Sequence, residues 1–530
     1  MGLQAQHPGG TLVVAATEPR TLNPLTAVDQ PSRDAIYALS GDLIHINRAS
    51  MMTEPALAAN WKVSRDGKQY TITLRPGLRF SDGSPLTADD VVFTFQVHLD
   101  PQVNSTQHDL LSIDGKPIVV TKIDANTVRF DFPAPYAPAE RLFDSIWILP
   151  RAKLEKAYRE GKIAQSWGED TPGAGPFRLK EHLTGQRLIL ERNPYYWKAP
   201  LPYLDHLELS FASDANTQLL RLRAGEVDIL PRVRAEDFAA LTARAEIHTF
   251  DAGPALEYNF VAFNWNAAEP ARAWFRNVLF RRAVAYAIDR AAIVKLVYQD
   301  KATPIWSQVT PGNRLWRDER VAQYPHDPAK AAALLQEAGF HRDGSIQGSV
   351  LKDAGGHPVE FTMMVSASSA LRRKMATIVE EDLAQVGIQA HATPTEFGSM
   401  VDAVLHAGRF EAVLWGLSSE GDPYSEMNVW PTVGQTHLWN LRLKDQPPPQ
   451  TEPWEREVDR LMAAQMSDIS PTSRKATYDR VQELVSANLP LVFLVTPHGL
   501  SAAREKVGGF APAILEPVAL WNCEHLFLVR

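Results

Sequence analysis

A single cysteine, Cys523, stands among 530 residues, so the chain can form no internal disulfide and no CxxC metal or redox pair. Long apolar runs are missing too. The best, Leu489 to Val495, falls far short of the roughly 18 residues that cross a bilayer and is interrupted by Pro490. The start, Met1-Gly2-Leu3-Gln4-Ala5-Gln6-His7-Pro8, has no basic segment followed by an apolar core, so no secretion signal is visible. On composition alone the chain is either cytoplasmic or begins after a removed signal. No long basic stretch occurs, and the net charge of −8, from 54 basic and 62 acidic residues, is spread along the sequence. Nucleic acid is not an expected partner.

Catalytic signatures are equally scarce. The 15 histidines show no HxH or HExxH spacing that would put two imidazoles on one metal. The run Gly416-Leu417-Ser418-Ser419-Glu420-Gly421 carries Glu420 where a GxSxG nucleophile elbow needs glycine. Gly173-Ala174-Gly175-Pro176-Phe177 looks like a phosphate loop until Arg178 stands in place of the last glycine, and Pro176 has no amide to donate. The acidic trio Glu380-Glu381-Asp382 lies on an amphipathic helix and reads as a solvated face. No enzyme and no cofactor are expected.

What is present is an ordinary globular composition, 45% hydrophobic and 22% charged, in a chain too long for one core. Two or three lobes are expected. Trp61 to Leu74 alternates around an Asp66-Gly67 turn and predicts a hairpin, and a helix follows in which Thr87 is the cap and Asp89 and Asp90 favour the positive end. A strand is expected over 126–132, a second hairpin over 177–190 around Thr184-Gly185, and a helix opened by Asp327-Pro328 and closed by Gly339. Between them, Asn193-Pro194-Tyr195-Tyr196-Trp197 reads as an aromatic loop, and the prolines at 447–449 as an extended surface connection. From Phe361 to Trp415 strands (361–365, 388–392, 410–415) alternate with helices (370–386, 397–407), the mark of a parallel α/β sheet. Ligands in such sheets sit beyond the carboxyl ends of strands, which singles out the loops 366–369 and 416–423.

Together these segments resemble the extracellular solute-binding proteins of family 5, the peptide, nickel and opine receptors of ABC importers. The most specific run is Glu54-Pro55-Ala56-Leu57-Ala58 continued by Leu74 through Val91 (LRPGLRFSDGSPLTADDV). Others follow in the family's order: Thr21-Leu22-Asn23-Pro24, the 173–177 and 193–197 motifs, the segment 222–228, Arg281 through Arg290, the 327–339 helix and Asp422-Pro423.

The resemblance implies a large α/β periplasmic-binding fold of type II, with two lobes joined by a two-segment hinge plus an inserted extra α+β domain. Residues 1–50, 172–264 and 491–530 would form the first lobe, 51–171 the inserted domain, and 265–490 the second lobe. It further implies a monomeric periplasmic receptor that closes over a short peptide or similar small solute and hands it to a membrane permease. Export would make the missing signal a removed one, and the chain lacks the amino-terminal cysteine of a lipid anchor. In peptide-binding relatives an aspartate near the Asp422-Pro423 position holds the peptide amine; here Ser419 stands there, with Glu420 next to it as a substitute.

The contacts this resemblance implies are Asn23 on the first lobe, Trp415, Leu417, Ser418, Ser419, Glu420 and Asp422 around the second candidate loop, Trp430, Trp439 and Asn440 in the covering region, and His498. The tryptophans serve equally as packing. Ser368 reads either as a helix cap or as part of a carboxylate site on free backbone amides. A nickel or other metal-chelate receptor, drawing on His406, His437 and His498, or an opine or sugar-type receptor, is the alternative within the family. A secreted peptide hydrolase with a dispersed triad is the alternative outside it.

Overall fold

Both predicted hairpins form: strands Ala58–Val63 and Gln69–Leu74 pair antiparallel, as do Phe177–Leu183 and Arg187–Arg192, in a computed structural model that describes residues 8–113, 115–342, 350–444 and 446–529. Gly67 and Gly185 take the positive φ that such tight turns demand. Chain contacts divide the molecule into two units, one of 1–252, 467–469 and 499–530, the other of 253–466 and 470–498.

In the first unit, strand Thr11–Ala16 runs parallel to both His206–Phe211 and Ile229–Leu230, and the 177–192 hairpin extends the sheet from His206–Phe211. Leu12, Val14, Leu207, Leu209 and Ile229 fill its core because alternate residues of each strand point to the same face. A separate antiparallel sheet of four strands, Ala58–Val63, Gln69–Leu74, Thr127–Asp131 and Val119–Lys122, packs on helix Ala88–Leu99. That helix begins with a reciprocal cap, in which the Thr87 side chain accepts from the first turn and Asp90 accepts from the Thr87 amide at 2.9 Å.

The 173–177 glycines are explained by a backbone crossing. A Cβ on Gly175 would lie 2.5–2.7 Å from the backbone of Ala38, Leu39 and Ser40, at the end of helix Gln30–Leu39. Asn193 locks the crossing by donating to the Gly175 carbonyl at 2.8 Å. The motif therefore closes two chain segments on each other, with no room for a phosphate. Gly175→Ala must push backbone against backbone, and chemical denaturation should show a loss of about 1–3 kcal/mol.

The second unit holds a five-stranded sheet in the order Gln389–Thr395, Glu360–Ser366, Ala412–Ser418, Glu257–Phe263, Leu491–Phe493. Its first three strands are parallel, as their alternation with helices predicts, and the last two join antiparallel. Helix Ala370–Gln385 forms with Ser369 as its cap and not Ser368, whose hydroxyl bonds to Ser366 Oγ instead. The helix expected over 397–407 is regular only through Val401, after which Ala407 N–H reaches back five residues to Asp402. The strand expected to end at Trp415 continues to Ser418, because Glu257–Phe263 pairs along its full length, so the loop begins at Ser419 and not at Gly416.

Candidate functional site

The segments 366–369 and 419–423 follow the carboxyl ends of two neighbouring parallel strands in the second unit. Arg372, in the first turn of helix Ala370–Gln385, lays its guanidinium across the strand end: Nη2 donates to Glu257 Oε1 at 2.8 Å and Nε to Asn259 Oδ1 at 3.1 Å. Gly416 makes this possible, since a Cβ there would run into the guanidinium. The pair is part-exposed, with 23% of the Arg372 and 36% of the Glu257 side chain open to solvent. Neither residue is marked by a motif in the sequence. Gly416, expected in the loop, lies inside the strand, where a glycine often marks close approach by another group.

Ser418, the last strand residue, and Glu420 beyond it are exposed while Asp422 is buried. Glu420 Oε2 accepts from the Tyr424 hydroxyl at 2.8 Å. Asp422 is held by Arg474 through two hydrogen bonds, of 2.8 and 2.6 Å, and also accepts from the Tyr424 amide at 3.0 Å. Both members of this ion pair are buried, and the Arg474 guanidinium lies 4.9 Å from the centre of the Trp316 ring. Asn313 donates to the Gly421 carbonyl, so the loop is fastened from two sides.

Below the loop lie two buried carboxylates with opposite behaviour. Glu426 accepts from the Tyr478 hydroxyl at 2.7 Å and from Trp430 Nε1, with Ser419 also hydrogen-bonded to it. Burial outweighs these donors and, with the nearby negative Asp422, pushes the Glu426 carboxyl up to about 7. Glu455 is also buried, yet His437, the Glu452 amide and Trp439 donate to it and together hold it below the ordinary carboxyl range against the cost of burial. Asn440 donates to the same carboxylate and to the Gln450 carbonyl.

The structure thus places Trp415, Leu417, Ser418, Ser419, Glu420 and Asp422 on one strand and its continuation, and gathers Trp430, Trp439 and Asn440 around Glu426 and Glu455 in the interior. Trp430 and Trp439 are 1% and 0% exposed, so their rings face protein on all sides. Trp415 packs edge-on against Phe397, 6.1 Å between ring centres. His498 sits on a different strand, hydrogen-bonded to Thr303. Asn23, in the first unit, is buried and ties a turn, accepting from the Leu25 amide and donating to the Ala164 carbonyl.

Among the described residues, one trio of ligand-type atoms lies close enough to share a cation, Asp42, His45 and Asp144. It excludes His406, His437 and His498. Asp144 is already filled, by two hydrogen bonds from Arg48 of 2.6 and 2.9 Å and one from the Ile46 amide, so a metal there would have to displace a guanidinium. Among the described residues one buried serine–histidine hydrogen bond is found, Ser105 with His98 Nδ1 at 2.6 Å, but His98 Nε2 has no hydrogen-bond partner there and burial lowers the imidazole to about 4. A nucleophile of the triad kind needs both an acid partner and access to solvent.

The first unit has a corresponding strand-end feature. A cavity of about 170 Å³ opens beside Ala16, Thr17 and Pro231, where strands Thr11–Ala16 and Ile229–Leu230 end, and Gln30, Asp34 and Arg232 supply its polar lining. Nothing in the sequence marked Asp34.

Comparison with known proteins agrees with this strand-end architecture. The chain belongs to the bacterial extracellular solute-binding proteins, family 5, whose middle-region model matches residues 53–437. A probable ABC transporter-binding protein of Deinococcus radiodurans is 27% identical over 92% of this chain and 87% of its own length. The dipeptide-binding protein of Escherichia coli is 28% identical over 80% of this chain and 79% of its own. In three dimensions the chain is similar to the ABC transporter substrate-binding protein CtaP of Listeria monocytogenes, with a TM-score of 0.83 and 22% identity, covering 99% of this chain and 100% of that one. The fold is the α/β type II periplasmic-binding fold that the motifs imply. Members of this family are solute-binding proteins, and among the described residues no helix is long and apolar enough to cross a membrane.

Proposed function

We propose that this chain is the solute-capturing component of an ABC importer, acting in the periplasm as a monomer without catalysis, and that it delivers short peptides to a membrane permease. The observation that carries this reading is the part-exposed Arg372–Glu257 pair beside the open strand end at Ser418–Glu420. A short peptide presents a carboxylate, an ammonium and backbone amides. A half-solvated guanidinium and carboxylate match those groups in charge and hydrogen-bonding capacity. The names of relatives such as the dipeptide-binding protein support the same solute class. Trp415, Leu417, Ser418, Ser419 and Glu420 would line the solute, and Trp430, Trp439, Asn440 and Asp422 would hold that lining in place from below. Asn23 and His498 would act by fixing their turns and strands.

In the domain division we propose, 1–50, 172–264 and 491–530 make the first lobe, 51–171 an inserted domain and 265–490 the second lobe. The four-stranded sheet of 58–131 supports the insertion, since it shares no strand pairing with the larger sheet.

Titration calorimetry with a pool of di- and tripeptides tests the proposal. The wild-type protein should bind the pool, and Arg372→Met should weaken binding by about tenfold or more while leaving the affinity for carboxyl-amidated peptides nearly unchanged. Equal affinities of wild type and variant for the free-acid pool would remove Arg372 as the anchor, and no heat with any peptide would remove the peptide reading.

A further inference from the structure

Helix Arg290–Tyr298 packs on helix Ala370–Gln385 within the second unit, and the Asp289 amide at its start donates to Asp382 Oδ2, near the other helix's end, at 2.8 Å. The two helices therefore run in opposite directions. Over about 14 Å of helix this carries Tyr298 to the first turn of its neighbour, where Arg372 lies. Glu257 and Arg372 are the charged groups that act on the Tyr298 hydroxyl, Glu257 the more strongly. Directly after Tyr298 the chain turns away through Gln299 and Asp300, both left-handed at φ 48° and 62°, where a helix end ordinarily places glycine.

Tyr298 is 4% exposed, yet its hydroxyl has no hydrogen-bond partner among the described residues. Buried tyrosine hydroxyls normally find one. Glu257 is in a similar condition on one side: Oε1 accepts from Arg372, while Oε2 accepts from no described residue. Two oxygen acceptors thus stand open beside the strand end that begins the solute site.

From this arrangement we infer that Tyr298 Oη and Glu257 Oε2 form an ammonium subsite, which takes a primary amine of the bound solute. The inference rests on the peptide reading above and names the groups that hold the peptide's amine. An ammonium is three donors and no acceptor, so it needs oxygens with free lone pairs and a negative charge among them. A carboxylate in the same place would face Glu257 as like to like. Burial, then the negative Glu257, holds the Tyr298 hydroxyl protonated far above neutral pH, so it meets the ammonium as a neutral acceptor. Arg372 repels a lone cation, which favours a zwitterion: its Nη1 donates to no described residue and can take the solute's carboxylate. Glu420, the other carboxylate near this strand end, is exposed and already accepts from the Tyr424 hydroxyl, so water screens what charge it offers.

The experiment measures, by calorimetry at pH 7, the binding of Ala-Ala-Ala and of its desamino analogue propionyl-Ala-Ala to wild type, Tyr298→Phe and Glu257→Gln. Wild type should prefer the free amine by about tenfold or more. Tyr298→Phe should weaken Ala-Ala-Ala by about five- to tenfold and leave the desamino analogue unchanged. Its melting temperature should not fall, because the hydroxyl has no protein partner to lose; a structural hydroxyl would lower it. Glu257→Gln keeps an oxygen for Arg372 and should likewise shrink the preference for the amine. Propionyl-Lys-Ala separates the two sources of an amine: binding as weak as the desamino analogue assigns the subsite to the amino terminus, and binding as tight as Ala-Ala-Ala opens it to a lysine side chain. Equal binding of Ala-Ala-Ala and its desamino analogue by wild type would overturn the inference while leaving peptide capture intact. Tyr298→Phe binding that matches wild type, or that weakens both peptides equally, would overturn it as well. Failure of every peptide to bind would overturn it together with the peptide reading.

Discussion

Arg474→Met should destabilise the protein by about 3–5 kcal/mol and abolish solute binding, because it strands Asp422 as an unpaired charge in the interior. The pair is buried: Asp422 is 3% and Arg474 6% exposed, and Arg474 supplies the two charged hydrogen bonds to the carboxylate, beside the one from the Tyr424 amide. Methionine replaces the stem but neither the guanidinium's contact with Trp316 nor its positive charge. Loop residues 419–423 would then have to reopen to hydrate the carboxylate. The double variant Asp422→Leu/Arg474→Met should recover most of the stability, since a buried ion pair replaced by apolar groups of similar size costs little. Urea denaturation of the two variants checks this. A single variant within about 1 kcal/mol of wild type would show that the pair is not buried as described.

Glu426→Gln should have the opposite sign, raising stability at pH 8 by up to about 3 kcal/mol. The folded protein holds the Glu426 proton up to about 7, whereas the unfolded chain releases it near 4.5. Stability from this group is therefore complete below 4.5, declines as pH rises toward 7, and is fully lost above. A glutamine cannot ionise, so its melting temperature should lose that decline, and the gap to wild type should open across the same interval. The amide still accepts a hydrogen bond, and the Tyr478 hydroxyl can turn to meet its N–H. Parallel pH–stability curves for wild type and variant would contradict the account of Glu426.

These two residues show where sequence reading stops. The hairpins, the Thr87 cap, the 327–339 helix and the parallel strand–helix alternation were legible because they depend on local chemistry: turn glycines, capping side chains and the period of apolar residues. The strand runs three residues past Trp415 because Gly416, Leu417 and Ser418 pair with Asn259, Tyr258 and Glu257, 157–161 positions away in sequence. Trp430 and Trp439 invite a solute-facing reading by residue type. Their indole N–H groups instead satisfy Glu426 and Glu455, and no local pattern reveals that those two glutamates are buried.

Arg372 and Asp34 were missed for the converse reason. Each is a charged residue on a helix beside other charged residues, and such residues usually face solvent. Only the fold brings Arg372 over Gly416 and Asp34 to the mouth of a strand-end cavity. The glycines at 173 and 175 carried a signal that chemistry could misread: a glycine pair serves a phosphate or a backbone crossing, and here Asn193 and the end of helix Gln30–Leu39 decide for the crossing.

Native mass spectrometry of the protein purified without added ligand tests solute capture most directly, by comparing gentle with denaturing conditions. The account predicts a heterogeneous set of adducts at short-peptide masses that is lost on denaturation. A chain that is bare as purified, and stays bare after incubation with a di- and tripeptide pool, would contradict it.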